Sequence, residues 1–333
     1  MRTVTPRWWY RRRGGLGAAV ARFLLAPLSW GWAGATARRL RRGQPFDPGV
    51  PVICVGNLTL GGSGKTPVVR ELARLAGEAG QNVHVLTRGH GGRLRGPIRV
   101  GPAFHTAVEV GDEAMMLARD HPVWVARDRA AGAGAAVASG AGLLVMDDGH
   151  QNPFVKKTLS LIVVDGETRS GEWPFGSGRV FPAGPLREPL GAGLARADAV
   201  VILLPADLPA ADPELVALFA GKRVLTAHLA PVRAPPPGKQ VAFAAMGKPW
   251  KMERALKAAG CDLVESHALP DHAAPSEKAL RSLAARAETV GAGLVTSEKD
   301  WAKLPPAWRE RVIAWPVRVR FDDEPAAHRL IGV

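Results

Sequence analysis

The chain has 333 residues, of which 47% are hydrophobic, and its formal net charge is +14. This length is enough for a buried core and favours two domains, while only two cysteines, Cys54 and Cys261, exclude a disulfide framework. The sequence has no C-x-x-C motif and no close Cys/His cluster, which argues against a structural zinc site.

The first 43 residues carry most of the positive charge. They contain ten arginines and no acidic residue. An apolar stretch, residues 14–37, is interrupted by Arg22 and Pro27. The segment also holds aromatic residues of the types that settle at a bilayer interface, namely Trp8, Trp9, Tyr10, Trp30 and Trp32. We therefore predict a helix that lies in one leaflet, with its arginines meeting an anionic membrane surface.

Three other interpretations of this basic segment remain open. A basic arm can bind nucleic acid, although such arms usually lack an apolar run like residues 23–37. A cleaved export signal fits Arg11–Arg13 and the small residues at 33–35, but Arg22 and Pro27 interrupt its apolar core. The third alternative is a surface helix packed on the body of the protein.

The body of the chain alternates apolar runs with helical patterns. Runs rich in Val, Ile and Leu predict strands at 51–56, 83–87, 123–126, 143–147, 161–165 and 199–204. Helices are predicted between them at 66–79, 111–120 and 127–139. This alternation is typical of an α/β protein, and the continuous apolar content of the strands is typical of a mostly parallel sheet flanked by helices.

A smaller α/β set follows. Its predicted strands lie near 223–228, 240–245, 262–266, 293–297 and 312–319, and its predicted helices near 249–259 and 276–289. The proline-rich stretch 230–240 indicates a stiff connection between the two sets. We therefore predict a basic membrane-associating segment at 1–43, a P-loop NTPase-like domain at 44–229 and a smaller C-terminal α/β domain at 230–333.

The stretch VGNLTLGGSGKTP follows the first predicted strand and opens the first predicted helix of the body. Glycine amides in such a turn can converge on phosphate oxygens. The sequence matches the phosphate-loop pattern G-x-x-x-x-G-K-[ST] except at its first position, where Thr59 replaces glycine. Lys65 is expected to reach the β- and γ-phosphates, and the Thr66 hydroxyl to bind Mg²⁺. The predicted nucleotide contacts are Thr59, Leu60, Gly61, Gly62, Ser63, Gly64, Lys65 and Thr66. Residues 296–300 lack the N-K-x-D element of a GTPase, which favours ATP.

Acidic residues follow two of the predicted elements. Asp147 ends the strand 143–147, the position of a metal-binding carboxylate beside a phosphate loop. Asp112 and Glu113 open a helix, where acidic residues commonly serve only the helix dipole. The loop histidine His272 would, from the residues alone, more often be a solvated bystander.

Several of these stretches together resemble one family. VGNLTLGGSGKTP, VGDEAMMLA, VMDDGHQNP, GSGRVFPAGPLREPL, LPDH and TSEKD occur in the order typical of the tetraacyldisaccharide 4'-kinase (lipid A 4'-kinase) family. The N-terminal Arg/Trp-rich segment also resembles that family's membrane-associating start. The family uses a threonine-led variant of the phosphate loop, which accounts for Thr59.

The resemblance implies an enzyme that transfers the γ-phosphate of ATP to the 4'-hydroxyl of an acylated glucosamine disaccharide 1-phosphate, giving lipid IVA. It implies that Asp112 is the base, supported by His272, with Lys65 at the phosphates. Metal contacts are expected from Thr66, Asp147, Glu113 and Glu188, with Mg²⁺ as the ion. The expected location is the cytoplasmic face of the bacterial inner membrane, without nucleic acid and without an obligate protein partner.

Three departures from the family pattern affect expected substrate contacts. His150-Gln151-Asn152 stands where an aromatic residue or leucine and then Gln-His are usual, His90 replaces a tyrosine, and Ala114 replaces a proline. We assign no role to His90, His150 or Asn152, and we leave Arg127 and Arg129 unranked as contacts for the anomeric phosphate. A P-loop ATPase that drives an assembly or metal-insertion step remains the alternative function.

Overall fold

The computed structural model describes residues 6–12, 14–270 and 274–332. The strands in this part of the chain are β1 (Val52–Gly56), β2 (Val83–Thr87), β3 (Ile98–Arg99), β4 (Val123–Val125), β5 (Leu143–Asp147), β6 (Leu159–Asp165), β7 (Ala199–Pro205), β8 (Arg223–Pro231), β9 (Lys239–Ala244), β10 (Asp262–Ala268), β11 (Gly293–Ser297), β12 (Val312–Trp315) and β13 (Val317–Phe321).

The helices are α1 (Leu16–Arg42), α2 (Lys65–Glu78), α3 (Ala107–Val110), α4 (Asp112–Leu117), α5 (Arg129–Ala138), α6 (Leu190–Ala195), α7 (Pro213–Ala217), α8 (Trp250–Ala258), α9 (Glu277–Val290), α10 (Glu298–Trp301), α11 (Pro306–Arg309) and α12 (Glu324–Ile331). Short 3₁₀ turns lie at Arg7–Tyr10 and Arg169–Gly171. The predicted α/β class is confirmed, and every predicted strand and helix has an observed counterpart.

The larger sheet has the order β13-β8-β7-β6-β1-β5-β2-β4-β3. Strands β7, β6, β1, β5, β2 and β4 pair in parallel, and β3 runs antiparallel at the edge. After β1 the chain forms β2, β4 and β5, which lie on one side of β1, and then β6, which lies on the other side. The direction in which strands are added to the sheet therefore reverses at β1. Ligands bind outside the carboxyl ends of the strands at such points in open α/β sheets.

Both faces of this sheet are covered. Strands β1, β2 and β5 are buried along their whole length, as expected for strands with helices on both sides. Helix α2 buries one apolar face, which includes Val68, Val69 and Leu72, and leaves its other face to solvent. The continuous apolar runs of the sequence are therefore explained by two-sided burial.

Two predicted strands belong to a different sheet from the one expected. The run 223–228 was grouped with the smaller set, but β8 lies in the larger sheet. The run 312–319 divides into β12 and β13 at Pro316, and β13 also joins the larger sheet. Apolar content alone does not encode which sheet receives a strand, because pairing depends on distant partners.

The described residues form two compact units. One consists of Pro205–Pro209 and His228–Val319, and the other of the remaining described residues. The smaller unit holds a four-stranded parallel sheet of order β10-β9-β11-β12, with Val241, Phe243 and Leu280 in its core. In the larger unit α12 packs against α2, where Arg74 and Glu324 lie 3.9 Å apart. The domain limits proposed after residues 43 and 229 stay predictions.

Helix α1 is 27 residues long and contains Pro27. By length and composition it is long and apolar enough to cross a membrane, the one such helix in the part of the chain that the structure describes; a leader sequence or a core helix passes the same test. Its exposed apolar side chains are Leu16, Val20, Phe23, Leu24, Leu28, Trp30 and Trp32. Its buried residues are Ser29 and Thr36, so α1 packs against the rest of the larger unit through a small polar face.

Candidate active site

The phosphate loop follows β1 and ends where α2 begins. Gly64 caps α2 with a left-handed φ of 81°, and Gly61 also has a positive φ, 101°. These conformations are accessible to glycine at little cost, and they turn the chain sharply into the N-terminus of α2. Lys65 is the first residue of the helix and Thr66 the second, so both side chains start beside the helix N-terminus.

Thr59 is explained by the backbone of the loop. It forms an antiparallel β-bridge with Leu186, and its carbonyl accepts a hydrogen bond from Arg187 Nε at 3.0 Å. Thr59 does not have a positive φ, because Asp148 is the sole non-glycine with one among the described residues. Position 59 therefore does not require glycine. A β-branched residue suits this extended, bridged conformation.

Two aspartates end β5 beside this loop. Asp147 pairs in register with Val55, which places it next to the start of the loop. Asp147 is 1% exposed, and its Oδ1 has no hydrogen-bond partner among the described residues. Burial raises the pKa of Asp147 above its ordinary value, and the nearby Glu113 carboxylate raises it further. A buried carboxylate oxygen without a partner indicates a site for a cation.

Asp148 has the opposite electrostatic surroundings. Its carboxylate accepts two hydrogen bonds from Arg187 Nη1, at 2.9 and 3.0 Å, and lies 3.6 Å from Lys65 Nζ. Burial by itself would raise its pKa, but Lys65 and Arg187 outweigh burial and lower the pKa of Asp148 to about 2. Asp148 therefore stays ionised and holds the Lys65 ammonium at the loop.

Helix α4 carries two of the predicted site residues. Asp112 is its first residue and Glu113 its second, after Gly111, whose φ is 93°. A side chain at 111 would meet the His90 carbonyl oxygen at 2.5 Å, so only glycine fits this close approach. Glu113 lies close enough to Asp147 for its charge to raise the Asp147 pKa, so the start of α4 is near the end of β5.

The residues present fit Mg²⁺. Thr66, Asp147 and Glu113 supply oxygen atoms, the ligand type that Mg²⁺ prefers, and the ion usually takes one or two carboxylates together with phosphate and water. The described residues hold no cluster of three or more His, Cys, Asp or Glu side chains of metal-binding geometry. Such a sparse donor set suits an ion that is bound together with a nucleotide rather than in an all-protein cage.

Glu188, for which a metal contact is expected, is held in a buried ion pair. Its side chain is 2% exposed and accepts two hydrogen bonds from Arg196 Nη2, each 2.7 Å, and one from Gln151 Nε2 at 3.0 Å. These bonds use both carboxylate oxygens in an ion pair. Glu188 therefore supports the loop in this arrangement, and its expected metal contact stays a prediction.

Arg127 and Arg129, the two candidate contacts for the anomeric phosphate, differ in exposure. Arg129 is 4% exposed and donates to the carbonyls of Ala126, at 2.6 Å, and Asp147, at 3.3 Å. Arg127 is exposed at the carboxyl end of β4. Arg129 is thus a buried support of β5, and Arg127 is the one accessible to an anion.

The remaining histidines to be placed are His150 and His272. His150 is buried, with Nδ1 3.1 Å from Ser160 Oγ and Nε2 3.0 Å from the Gly193 carbonyl, so it supports the fold. His272 lies outside the described residues.

Asp148 and Gln151 are site residues that the sequence alone does not single out. Gln151 Nε2 also donates a hydrogen bond to the Asn57 carbonyl at 2.9 Å. The adjacency of Asp148 to Asp147 was the available signal.

A parallel sheet with a glycine-rich loop between β1 and α2, and an aspartate at the end of β5, defines a P-loop nucleotide-binding protein. A sequence model described as tetraacyldisaccharide-1-P 4'-kinase matches residues 21–332. The chain belongs to this family.

Relatives and a solved structure agree with the assignment. The chain is 65% identical over 332 residues to tetraacyldisaccharide 4'-kinase of Phenylobacterium zucineum (strain HLK1), covering 100% of this chain and 99% of that one. It is 60% identical to the enzyme of Caulobacter sp. (strain K31), covering 99% and 98%. The fold is similar to LpxK from Aquifex aeolicus, crystallised in complex with ATP, with a TM-score of 0.73, 26% identity and coverage of 93% and 98%.

Proposed function

We propose that this chain transfers the γ-phosphate of ATP to the 4'-hydroxyl of a tetraacylated glucosamine disaccharide 1-phosphate, giving lipid IVA. The observation that carries the proposal is the meeting of the phosphate loop with Asp147 at the carboxyl ends of β1 and β5, in a chain of this kinase family. The P-loop ATPase alternative gains no specific support from the described residues.

The loop residues 59–66 bind the nucleotide phosphates. Amides of Gly61 to Lys65 face the anion, and the N-terminus of α2 adds its partial positive charge. Lys65, held by Asp148 at 3.6 Å, neutralises charge that develops on the transferred group. Thr66 and Asp147, with Glu113, would hold Mg²⁺. When bound, the ion neutralises phosphate oxygens and orients the nucleotide.

Asp112 accepts the proton of the acceptor hydroxyl. The 4'-oxygen forms a bond to the γ-phosphorus, the bond from that phosphorus to the β,γ-bridging oxygen breaks, and ADP leaves. A sugar hydroxyl is a weak acid, so a carboxylate that takes its proton as the new bond forms lowers the barrier. The support of this carboxylate by His272, which lies outside the described residues, stays a prediction.

The acceptor is a lipid, and α1 supplies a surface suited to it. Phe23, Leu24 and Leu28 are more than 60% exposed, and arginines follow at the C-terminal end of the helix. Apolar side chains of this kind enter the acyl region while arginines meet phosphate headgroups. We place the protein on the cytoplasmic face of the bacterial inner membrane, where ATP is available. Arg127 is our candidate for the anomeric phosphate.

The test is the destination of the phosphate. The protein is mixed with ATP, Mg²⁺ and the detergent-solubilised disaccharide 1-phosphate, and the lipid products are separated by mass. We expect a product that carries a second phosphate, together with stoichiometric ADP. ATP hydrolysis without a phosphorylated lipid would contradict the kinase assignment and support the ATPase alternative.

A further inference from the structure

The segment Trp8–Tyr10 is docked on the larger unit beside the phosphate loop. Trp9 is 8% exposed, and its ring meets Phe181 edge to face with centroids 5.8 Å apart. The Tyr10 carbonyl accepts a hydrogen bond from the Trp173 amide at 2.7 Å. At Gly176, a side chain would collide with the Trp9 carbonyl. The segment therefore has a fixed position, set by backbone contacts as well as by aromatic packing.

From this position Tyr10 reaches the phosphate loop. Its hydroxyl donates a hydrogen bond to the Leu60 carbonyl. Its Oη also lies 2.8 Å from the place a Cβ would occupy on Gly61, so the phenol packs directly on that glycine. Tyr10 thus contacts the two residues at which the loop turns from its bridged first half into its glycine-rich second half.

The first half of the loop is held by other groups as well. The Leu60 amide donates to the Pro185 carbonyl at 2.7 Å, and Arg187 Nε donates to the Thr59 carbonyl at 3.0 Å. These contacts come from the loop 179–187. The N-terminal segment also restrains the first half of the phosphate loop, through Tyr10.

Helix α1 is bonded to that supporting loop. Ser29 Oγ donates to the Val180 carbonyl at 2.8 Å and accepts from the Ala183 amide at 3.1 Å. Trp32 Nε1 donates to the Arg187 carbonyl at 3.1 Å. The segment that bears the exposed apolar surface is therefore joined to the phosphate loop by direct contact through Tyr10 and by way of residues 180–187.

We propose that Tyr10 is a positioning residue for ATP, whose hydroxyl fixes the Leu60 carbonyl and so sets the loop amides in their phosphate-binding arrangement before the nucleotide binds. A glycine-rich loop loses much conformational freedom when it closes on a ligand, and a contact formed beforehand lowers that loss. The Tyr10 hydroxyl thereby contributes to nucleotide affinity. The inference rests on the proposed role of residues 59–66.

The decisive variant is Tyr10→Phe, which keeps the ring and removes the hydroxyl. We expect the KM for ATP to rise about three- to tenfold, the size of one lost hydrogen bond, with kcat within about twofold of the parent. The matched control is Arg12→Gln. Arg12 forms an ion pair with Glu214 and stacks 3.4 Å above the Trp173 ring, so it holds the same segment without touching the loop. We expect its KM for ATP to equal that of the parent.

A spectroscopic test uses the fact that Tyr10 is the single tyrosine of the chain. Protein labelled with ¹³Cζ-tyrosine, in detergent micelles, gives one tyrosine signal. We expect this signal to shift when a non-hydrolysable ATP analogue and Mg²⁺ are added to the parent, and to stay in place in Lys65→Ala.

Failure of this inference and failure of the loop assignment give different results. If Lys65→Ala binds the analogue as tightly as the parent, the loop assignment is wrong. If Lys65→Ala loses binding but Tyr10→Phe keeps the parent KM and the tyrosine signal does not move, the positioning role alone is overturned. An equal rise of KM in Tyr10→Phe and Arg12→Gln would also overturn it, because general loosening of the segment would then be the cause.

Discussion

The Lys65 ammonium lies 3.6 Å from Asp148 Oδ1, and Asp148 is itself bound twice by Arg187. The carboxylate is shared by two cations, which keeps it ionised and keeps Lys65 near the loop in the absence of a nucleotide. Arg187 also donates to the Thr59 carbonyl, so one arginine connects the end of β5 with the first residue of the loop.

Lys65→Ala is expected to lower kcat by about 10²- to 10³-fold, because the transferred group loses its main cationic partner. The measurement is phosphate transfer to the detergent-solubilised lipid. Lys156→Ala is the matched control, since Lys156 is exposed and pairs with Asp47 at 2.7 Å. Activity of Lys65→Ala close to that of the control would remove Lys65 from the mechanism.

Asp112→Asn is expected to lower kcat by about 10²- to 10⁴-fold, the usual contribution of a general base, with little change in the KM for ATP. Steady-state kinetics with varied ATP separates the two constants. Asp120→Asn, which removes an ion pair with Arg70 of 2.6 Å, serves as a control. Equal losses in turnover and in ATP affinity would instead assign Asp112 to nucleotide binding.

Asp147 and Glu188 are expected to differ in a magnesium titration. Asp147→Asn should raise the Mg²⁺ concentration needed for half-maximal activity, because it removes charge from an oxygen that lacks a protein partner. Glu188→Gln should leave that concentration unchanged and lower the free energy of unfolding by roughly 1–3 kcal/mol, because Arg196 loses its buried partner. A raised Mg²⁺ requirement in Glu188→Gln would instead support the metal contact expected from the sequence.

His150 makes the stability depend on pH. Burial, with the neighbouring Arg196 and Lys157, lowers its pKa from 6.5 to about 4, so the unfolded chain binds a proton before the folded protein does. The His150 contribution to stability is therefore lost as pH falls from about 6.5 towards 4, by about 2 kcal/mol between pH 7.5 and pH 5. Urea unfolding across this range measures the slope.

The variant His150→Gln tests the assignment of that slope. It removes the titrating ring, so the stability of the parent minus that of the variant should fall by about 2 kcal/mol between pH 7.5 and pH 5. Burial also lowers the pKa values of His84 and His121, which adds a slope of the same sign, whereas the raised pKa of Asp147 adds a slope of the opposite sign; both are common to parent and variant. Identical slopes in parent and variant would contradict the assignment.

The apolar surface of α1 can be tested without removing the helix. Changing Phe23, Leu24 and Leu28 to serine is expected to reduce binding to anionic vesicles at least about tenfold, because each side chain contributes on the order of 1 kcal/mol or more when buried in lipid. Co-sedimentation with the vesicles measures binding. Deletion of residues 1–43 is a poorer test, since it also removes Tyr10, Ser29 and Trp32 from the phosphate-loop support. Vesicle binding unchanged by the serine variant would place the membrane contact elsewhere.

The sequence by itself determined the strands of both sheets except β3, together with the phosphate loop and the start of α2. These features follow from local patterns, because runs of Val, Ile and Leu are apolar enough to be buried and glycines allow a sharp turn. Asp147 was also predictable, since a strand's last residue reaches the ligand edge of a parallel sheet.

The tertiary structure alone decided which side chains meet. The partners of Glu188 and Arg129, the entry of β8 and β13 into the larger sheet, and the contact of Tyr10 with Leu60 join residues far apart in the chain. No local periodicity encodes such contacts, because ion pairs and hydrogen bonds in the interior depend on how distant elements pack. Packing therefore separated Glu188, which is held in an ion pair, from Asp147, whose Oδ1 has no hydrogen-bond partner among the described residues.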